Sequence, residues 1–392
     1  MVLKKADIAI MALCGGLIVA NLYYCQPLIV LIARDFRIDT STAGRLNYIT
    51  QGGYAAGLLF LVPLGDLIER KKQILVTTSV TILALICAAL APSFFMLQLA
   101  SFFLGFSTII PQLILPLAAH LTAPEKRGRV LGMVMSGLLL GILLSRTISG
   151  IIGAYLGWRA IYWIAAGICT LLLALMSIRF PRSNPDFKGT YGKLMQSLGS
   201  LLPQPVLQEA CMINALCYGA FGAFWATMVI YLSGAPFNYN SGQIGLFGLA
   251  GAVGALVAPI AGKLNDKGNP RNIILTGILV ILLSFVVFYF FRTSLAGIIA
   301  GIILLDFGIQ AAHVSNQTRV YALIPEARNR LNTLYMTATF IGTASGSATG
   351  LLLWRLGGWS YFCVGGGGFM VVALCIFGLY HRKISRVNTA NA

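Results

Sequence analysis

The sequence predicts an all-α membrane protein: twelve transmembrane helices arranged as two pseudo-symmetric six-helix bundles. Three observations predict it. The 392-residue chain is 58% hydrophobic and only 10% charged, with a mean hydropathy of +0.83. Soluble domains carry about 25% charged residues, so this much apolar surface needs lipid as its solvent. Next, the chain lies on itself after a shift of 201 residues. Pro124, Glu125, Arg127 and Arg129 fall on Pro325, Glu326, Arg328 and Arg330, Gly141 falls on Gly342, and Gly157-Trp158 falls on Gly358-Trp359. A repeat of that length in an apolar chain marks two like-oriented bundles, an arrangement suited to a solute path. Finally, lysine and arginine gather on alternate loops, which fixes a topology.

The spans follow in order as 7–33, 42–64, 73–91, 93–121, 129–153, 158–179, 206–233, 242–264, 272–291, 294–323, 331–353 and 359–380. Each is long enough to cross about 30 Å of hydrocarbon as a helix. Connections as short as Ala91-Pro92-Ser93 make neighbours antiparallel. The 43 glycines suit helices whose backbones approach closely. Residues 180–205 break the apolar pattern with Pro181, Pro185, Pro203, Pro205 and scattered charges, which reads as a linker. The expected organisation is an N-terminal bundle over 1–179, a cytoplasmic linker over 180–205, and a C-terminal bundle over 206–392 with a short cytoplasmic tail.

With the N-terminus inside, twenty of the 28 Lys and Arg fall on inner loops and tails and six on outer loops, while Arg146 and Arg319 lie within spans. Both termini are therefore expected in the cytoplasm of a bacterial inner-membrane protein. The net charge of +17 then reports topology and attraction to anionic lipid, not a nucleic-acid surface. The first span is too long for a cleaved signal peptide. All eight cysteines fall in spans without a C-x-x-C pair and read as buried apolar thiols, neither disulfides nor metal ligands. No P-loop and no H-E-x-x-H occurs, and His120, His313 and His381 are scattered. An ATP-driven pump, a metalloenzyme and a bound cofactor are not expected.

Two loops carry a recognisable pattern. After the second span stands Leu64-Gly65-Asp66-Leu67-Ile68-Glu69-Arg70-Lys71-Lys72, and after the eighth Gly262-Lys263-Leu264-Asn265-Asp266-Lys267-Gly268, followed by Arg271. They resemble the G-x-x-x-D-[RK]-x-G-[RK] signature of the major facilitator superfamily, the second copy more fully, since Val62 and Glu69 replace two glycines in the first. With twelve spans and the repeat, the resemblance covers nearly the whole chain and implies the major facilitator fold. An acid at a helix C-terminal end opposes the helix dipole unless cations compensate. Asp66 and Asp266 are therefore read as latches between helix ends on the cytoplasmic face, with Arg70 and Arg271 among the basic residues of that gate. Glu125 with Arg129 and Glu326 with Arg330 mark helix starts on that face, structural or gating in role.

Within the superfamily, drug and metabolite antiporters carry G-x-x-x-G-P-x-x-G-G in the fifth span. Here that stretch runs from Gly141 to Gly150, with Arg146 at the proline position. Their fourth-span arginine is matched by Ser101, so coupling through that arginine does not carry over. The string Asn21-Leu22-Tyr23-Tyr24-Cys25-Gln26-Pro27-Leu28, the run 306–317 and the loop from Pro325 to Thr333 resemble a bacterial branch of efflux permeases.

Ionisable groups at membrane depth are costly and face a cavity or a partner. Asp306 in the tenth span shares a helical stripe with Gln310, His313 and Gln317. A carboxylic acid and an imidazole are side chains that pick up and release protons in transporters. Asp306, His313 and Arg146 are the proton-coupling candidates, with Arg146 either pairing with Asp306 or taking an anionic group of the solute. Arg319, near the inner end of the same span, is expected to snorkel to the interface. Asn21 and Tyr24 of the first span, Asn214, Tyr218 and Trp225 of the seventh, and Gln310 and Gln317 are the cavity candidates. Amides beside aromatics suit an amphipathic organic solute. The expected function is secondary transport of such a solute by alternating access, as proton-coupled efflux from a monomer. Uptake by symport or uniport, and a membrane sensor without transport, are the alternatives.

Overall fold

A computed structural model describes residues 5–122, 127–182, 189–255 and 269–390. Among these residues the regular structure is helical, and each of the twelve expected spans holds helix. Nine segments among the described residues are long and apolar enough to cross a membrane. The last, Arg328–Tyr380, is 53 residues long, far more than about 20 residues need to span once. It is divided at Gly357 and Gly358, whose backbone leaves the helical region.

Two expected spans are not continuous helices. The first stops at Val19, passes through the 3-10 turns Ala20–Leu22 and Gln26–Leu28, and resumes as Ile29–Phe36. Pro27 removes one backbone donor and its ring clashes with the preceding turn, so the break sits inside the Asn21–Leu28 string. The fourth span breaks between Phe94–Ser107 and Ile110–His120, just before Pro111. The stretch expected as linker also departs from a plain connection. It contains the helix Tyr191–Gly199, which buries Leu194 and Leu198, and the Tyr191 hydroxyl donates to the Phe60 carbonyl at 2.9 Å.

The chain divides into two compact units, residues 1–195 with 239–248, and residues 196–238 with 249–392. In the first, Lys5–Val19 packs along Arg127–Leu156 and Arg45–Phe60 along Phe94–Ser107. In the second, Pro205–Ser233 packs along the helix that starts at Arg328, and Pro270–Phe290 along Leu295–Leu323. Glycines set the closest of these approaches. A side chain on Gly16, Gly137 or Gly141 would strike backbone of the facing helix, and so would one on Gly222, Gly342 or Gly346. Gly141 and Gly342 are repeat mates, so both units close the same helix pair on a glycine at the same place.

Outward faces stay apolar. Phe95, Tyr155, Leu171, Ile178, Phe290 and Val364 are exposed, as expected where lipid covers the surface. The cysteines correct the sequence reading in part. Cys14, Cys25, Cys169, Cys217 and Cys363 are buried, Cys211 is half-buried, and Cys87 and Cys375 are exposed. A helix face that meets lipid tolerates a thiol as readily as a core does.

Candidate functional site

In the first unit the site is built at the broken helix. Arg146 projects from Arg127–Leu156 and is 3% exposed. Its Nε donates to Gln26 Oε1 at 2.6 Å, and its guanidinium lies 4.7 Å from the centre of the Tyr23 ring. A buried charge persists when hydrogen bonds and a π face replace water. Gln26 sits on the second 3-10 turn and Tyr23 between the two turns, so the interruption is what presents both to Arg146. Asn21 donates to the Ile18 carbonyl at 2.9 Å and approaches Cys169 Sγ at 3.6 Å. Tyr24 is buried nearby in sequence, and Cys25 Sγ donates to Asn47 Oδ1 at 3.4 Å. The first half of Ser241–Ala255 belongs to this unit. Its Gly245 carbonyl accepts from Thr147 Oγ1 at 2.9 Å, one residue beyond Arg146.

In the second unit, Leu295–Leu323 carries the polar stripe. Asp306 is 7% exposed. A Cβ added to Gly251 would stand 3.2 Å from Asp306 Oδ2 and 3.4 Å from Trp225 Cζ2. Gly251 thus faces both the carboxylate and the indole. From Trp225 a ladder of rings runs through Phe221, at 6.1 Å, to Tyr218, at 5.8 Å, and then to His313, at 5.4 Å. Tyr335 lies nearly parallel to the imidazole with a ring-centre distance of 5.4 Å. Its hydroxyl reaches both His313 Nδ1, at 3.2 Å, and the His313 carbonyl, at 3.0 Å.

The structure therefore sets Asp306 and Trp225 around Gly251 and brings His313 to Tyr218. It gives other candidates separate partners. Asn214 donates to Thr339 Oγ1 at 2.5 Å, Gln317 donates to the Tyr321 hydroxyl at 3.1 Å, and Gln310 is half-buried on the stripe. Tyr23, Gln26, Gly251 and Tyr335 are additions. The first two stood in the quoted string beside Asn21, whereas nothing in the sequence marks Gly251 or Tyr335 apart from their neighbours.

A charged cluster near the start of Pro205–Ser233 is another addition. Glu209 has no exposed surface and lies between two arginines, Arg271 at 2.7 Å and Arg319 at 2.5 Å. Arg271 also donates to the Phe377 carbonyl at 3.0 Å and stacks over that ring. Arg319 is thus held by a carboxylate and by Asn316 instead of snorkelling. Four residues into a span, Glu209 reads as an interfacial acid, and its two partners are more than 60 residues away.

Of the latch candidates, Asp66 and Arg70 form an ion pair at 3.2 Å across the turn between two helices. Arg271 meets Glu209, while Asp266 lies outside the described residues, as do Glu125 and the side chain of Arg129. Glu326 is exposed and Arg330 half-buried. Among the described residues no group of three or more metal-ligating side chains occurs.

The comparisons agree with this architecture. The Major Facilitator Superfamily profile matches residues 11–320 and again 210–392. The "Uncharacterized transporter YgaY" of Escherichia coli O157:H7 is 41% identical over 387 residues, 97% of each chain. A "Probable sugar efflux transporter" of Helicobacter pylori is 26% identical over 347 residues, covering 88% of this chain and 87% of the relative. Among solved structures, the nucleoside transporter NupG, solved as a mutant, superposes with a TM-score of 0.75 at 13% identity, covering 96% of this chain and 99% of that one. A profile that spans almost the whole chain, a relative at 41% identity and the shared fold lead to one conclusion: the chain belongs to the Major Facilitator Superfamily and is a multi-pass membrane transporter.

Proposed function

We propose that this transporter exports a small organic solute from the bacterial cytoplasm across the inner membrane in exchange for protons, by alternating access, with both termini in the cytoplasm. The observation that carries the reading is the stripe on Leu295–Leu323, where a carboxylate and an imidazole stand in line with a ladder of aromatic rings. Rings offer an apolar solute a flat surface, and two titratable groups beside them let occupancy and protonation compete. Asp306 and His313 take the proton in this reading. Arg146, already held by Gln26 and Tyr23, orients an anionic or strongly polar group of the solute. Asp66, Arg70, Asp266, Arg271, Glu125, Arg129, Glu326 and Arg330 belong to the cytoplasmic gate. Export as the direction is supported by the name of the Helicobacter pylori relative and by the permease-like strings in the first and tenth spans.

The test is a proteoliposome assay with a pH-sensitive dye inside and an imposed pH gradient. A panel of sugars, amphipathic cations, amino acids and organic anions is added in turn. One class is expected to trigger proton movement, and Asp306→Asn is expected to abolish it. Labelled solute crossing with no proton movement would make the protein a uniporter and leave Asp306 a structural role.

A further inference from the structure

His313 is the imidazole of the stripe, and the atoms around its ring decide which nitrogen carries its proton. The Tyr335 hydroxyl lies 3.0 Å from the His313 carbonyl oxygen and 3.2 Å from Nδ1. A phenol has one proton to give, and a carbonyl oxygen has none. Two oxygens at hydrogen-bond distance need that proton between them, so the hydroxyl donates to the carbonyl. Its remaining capacity is as an acceptor, and the atom at 3.2 Å on that side is Nδ1. The hydroxyl can be satisfied there only if Nδ1 bears a hydrogen. The ring nitrogens of histidine differ in this way whenever one of them has a fixed partner.

Geometry holds the arrangement in place. Tyr335 has no exposed surface, and its ring lies nearly parallel to the imidazole at 25°. Tyr218 meets the imidazole edge-on from Pro205–Ser233 at 65°. The two rings hold the plane of the imidazole, and turning it by 180° within that plane would put Cδ2 where Nδ1 stands and lose the contact with the Tyr335 hydroxyl. No hydrogen bond to Nε2 is made among the described residues. The other polar groups of the stripe are Gln310, three residues before, Gln317, four after, and Asp306, two turns before.

We infer that Tyr335 is a positioning residue that locks neutral His313 as the Nδ1–H tautomer, so that Nε2 is the ring atom that accepts a hydrogen bond or a proton. Free histidine in water favours the opposite form, with the hydrogen on Nε2, so the lock reverses a default. The consequence rests on the proposed function and deepens it. Next to Asp306, the stripe then presents two acceptors, a carboxylate and Nε2, and selects solutes rich in donors, such as hydroxyls or ammonium groups on a ring that can lie against Tyr218 and Phe221.

The experiment is solid-state nitrogen NMR of the full chain in lipid bilayers, labelled at histidine and tyrosine. His120→Gln and His381→Gln together leave His313 as the sole signal. Spectra are taken at about pH 9, where an ordinary imidazole is neutral. The expected result is a pyrrole-type Nδ1 and a pyridine-type Nε2, with Nδ1–H correlated to the Tyr335 Cζ. Tyr335→Phe keeps the ring and removes the hydroxyl. It is expected to shift the ratio of the tautomers toward Nε2–H by about five- to tenfold, the worth of one hydrogen bond. A pyridine-type Nδ1 in the parent protein, or a correlation missing from Tyr335, overturns the lock whether or not the variant folds. An unchanged ratio in folded Tyr335→Phe overturns the part assigned to Tyr335. The spectra need no transport, so a confirmed lock in a protein that moves no protons would sink the proton reading alone.

Discussion

At the scale of single residues, a charge inside the membrane announces itself in the sequence, but the group that neutralises or positions it does not. Arg146, Asp306 and His313 stand out because ionisable side chains are rare at that depth. Gln26 and Tyr23 are ordinary residues until the chain breaks around Pro27 and turns them toward Arg146. Removing one partner of a buried hydrogen bond leaves the other desolvated and unsatisfied, at a cost of about 1–3 kcal/mol. Gln26→Leu is therefore expected to lower the thermal midpoint in detergent, while Gln26→Glu restores an acceptor and keeps it. Equal midpoints for the two would mean that Gln26 Oε1 does not matter to Arg146. Gly251 makes a sharper case. A methyl there would crowd Asp306 Oδ2 and touch Trp225, and the larger isopropyl group would crowd both, so Gly251→Val is expected to impair transport in proteoliposomes while monodispersity in detergent persists. Full transport in that variant would remove Asp306 and Trp225 from a common place.

At the scale of elements, apolar run lengths locate helices well and say nothing about where a helix is interrupted or which charges meet. The intervals 158–179 and 294–323 match the helices Trp158–Arg179 and Leu295–Leu323 to within a residue. The interruption at Ala20–Leu28 was missed because every residue in it is compatible with a span and only Pro27 disfavours a helix. The Glu209 cluster was missed for a different reason. Its three charges come from three elements, each near an end, where charge is unremarkable in a sequence. Once assembled, they tie Pro205–Ser233 to Pro270–Phe290 and Leu295–Leu323. Breaking a buried ion pair from one side costs about 3–5 kcal/mol. Glu209→Gln strands both arginines, so it is expected to destabilise more than Arg271→Gln or Arg319→Gln alone. The two arginine effects should not add in a double-mutant cycle, because both act through one carboxylate. Thermal unfolding followed by tryptophan fluorescence reads this, and strict additivity would show that the three residues do not behave as one unit.

At the scale of the whole molecule, the repeat legible at a shift of 201 residues is realised as equivalent geometry with substituted chemistry. Gly157 and Gly358 both hold a positive φ, 81° and 64°, directly before a tryptophan that begins the next helix. With ψ at 162° and −150° both lie in a region that glycine alone adopts readily, and a side chain there costs roughly 1–3 kcal/mol. The tryptophans then use different acceptors, Trp158 donating to Asp35 at 3.0 Å and Trp359 to the Phe288 carbonyl at 2.9 Å. The next residues exchange roles as well. Arg159 donates to the Ala91 carbonyl at 3.1 Å in the first unit, whereas Arg292, the repeat mate of Ala91, donates to Ser360, the repeat mate of Arg159, at 3.0 Å in the second. One contact is thus kept in both units with its arginine on opposite partners. Arg159 also pairs with Asp35, while the position equivalent to Asp35 holds Pro236, so the first copy depends on an ion pair and the second does not. An exposed pair contributes little at high ionic strength. Gly157→Ala and Gly358→Ala are accordingly expected to destabilise by similar amounts, about 1–3 kcal/mol, because the backbone requirement is shared. Arg159→Gln should lose the part of its effect on the thermal midpoint that comes from Asp35 as salt rises to about 1 M, where the screening length is about 3 Å, and keep the part that comes from the Ala91 carbonyl. Arg292→Gln should keep its effect, since its partner is a neutral hydroxyl. Matching salt responses at the two sites would show that the pseudo-symmetric contacts share an energetic origin as well as a place in the fold.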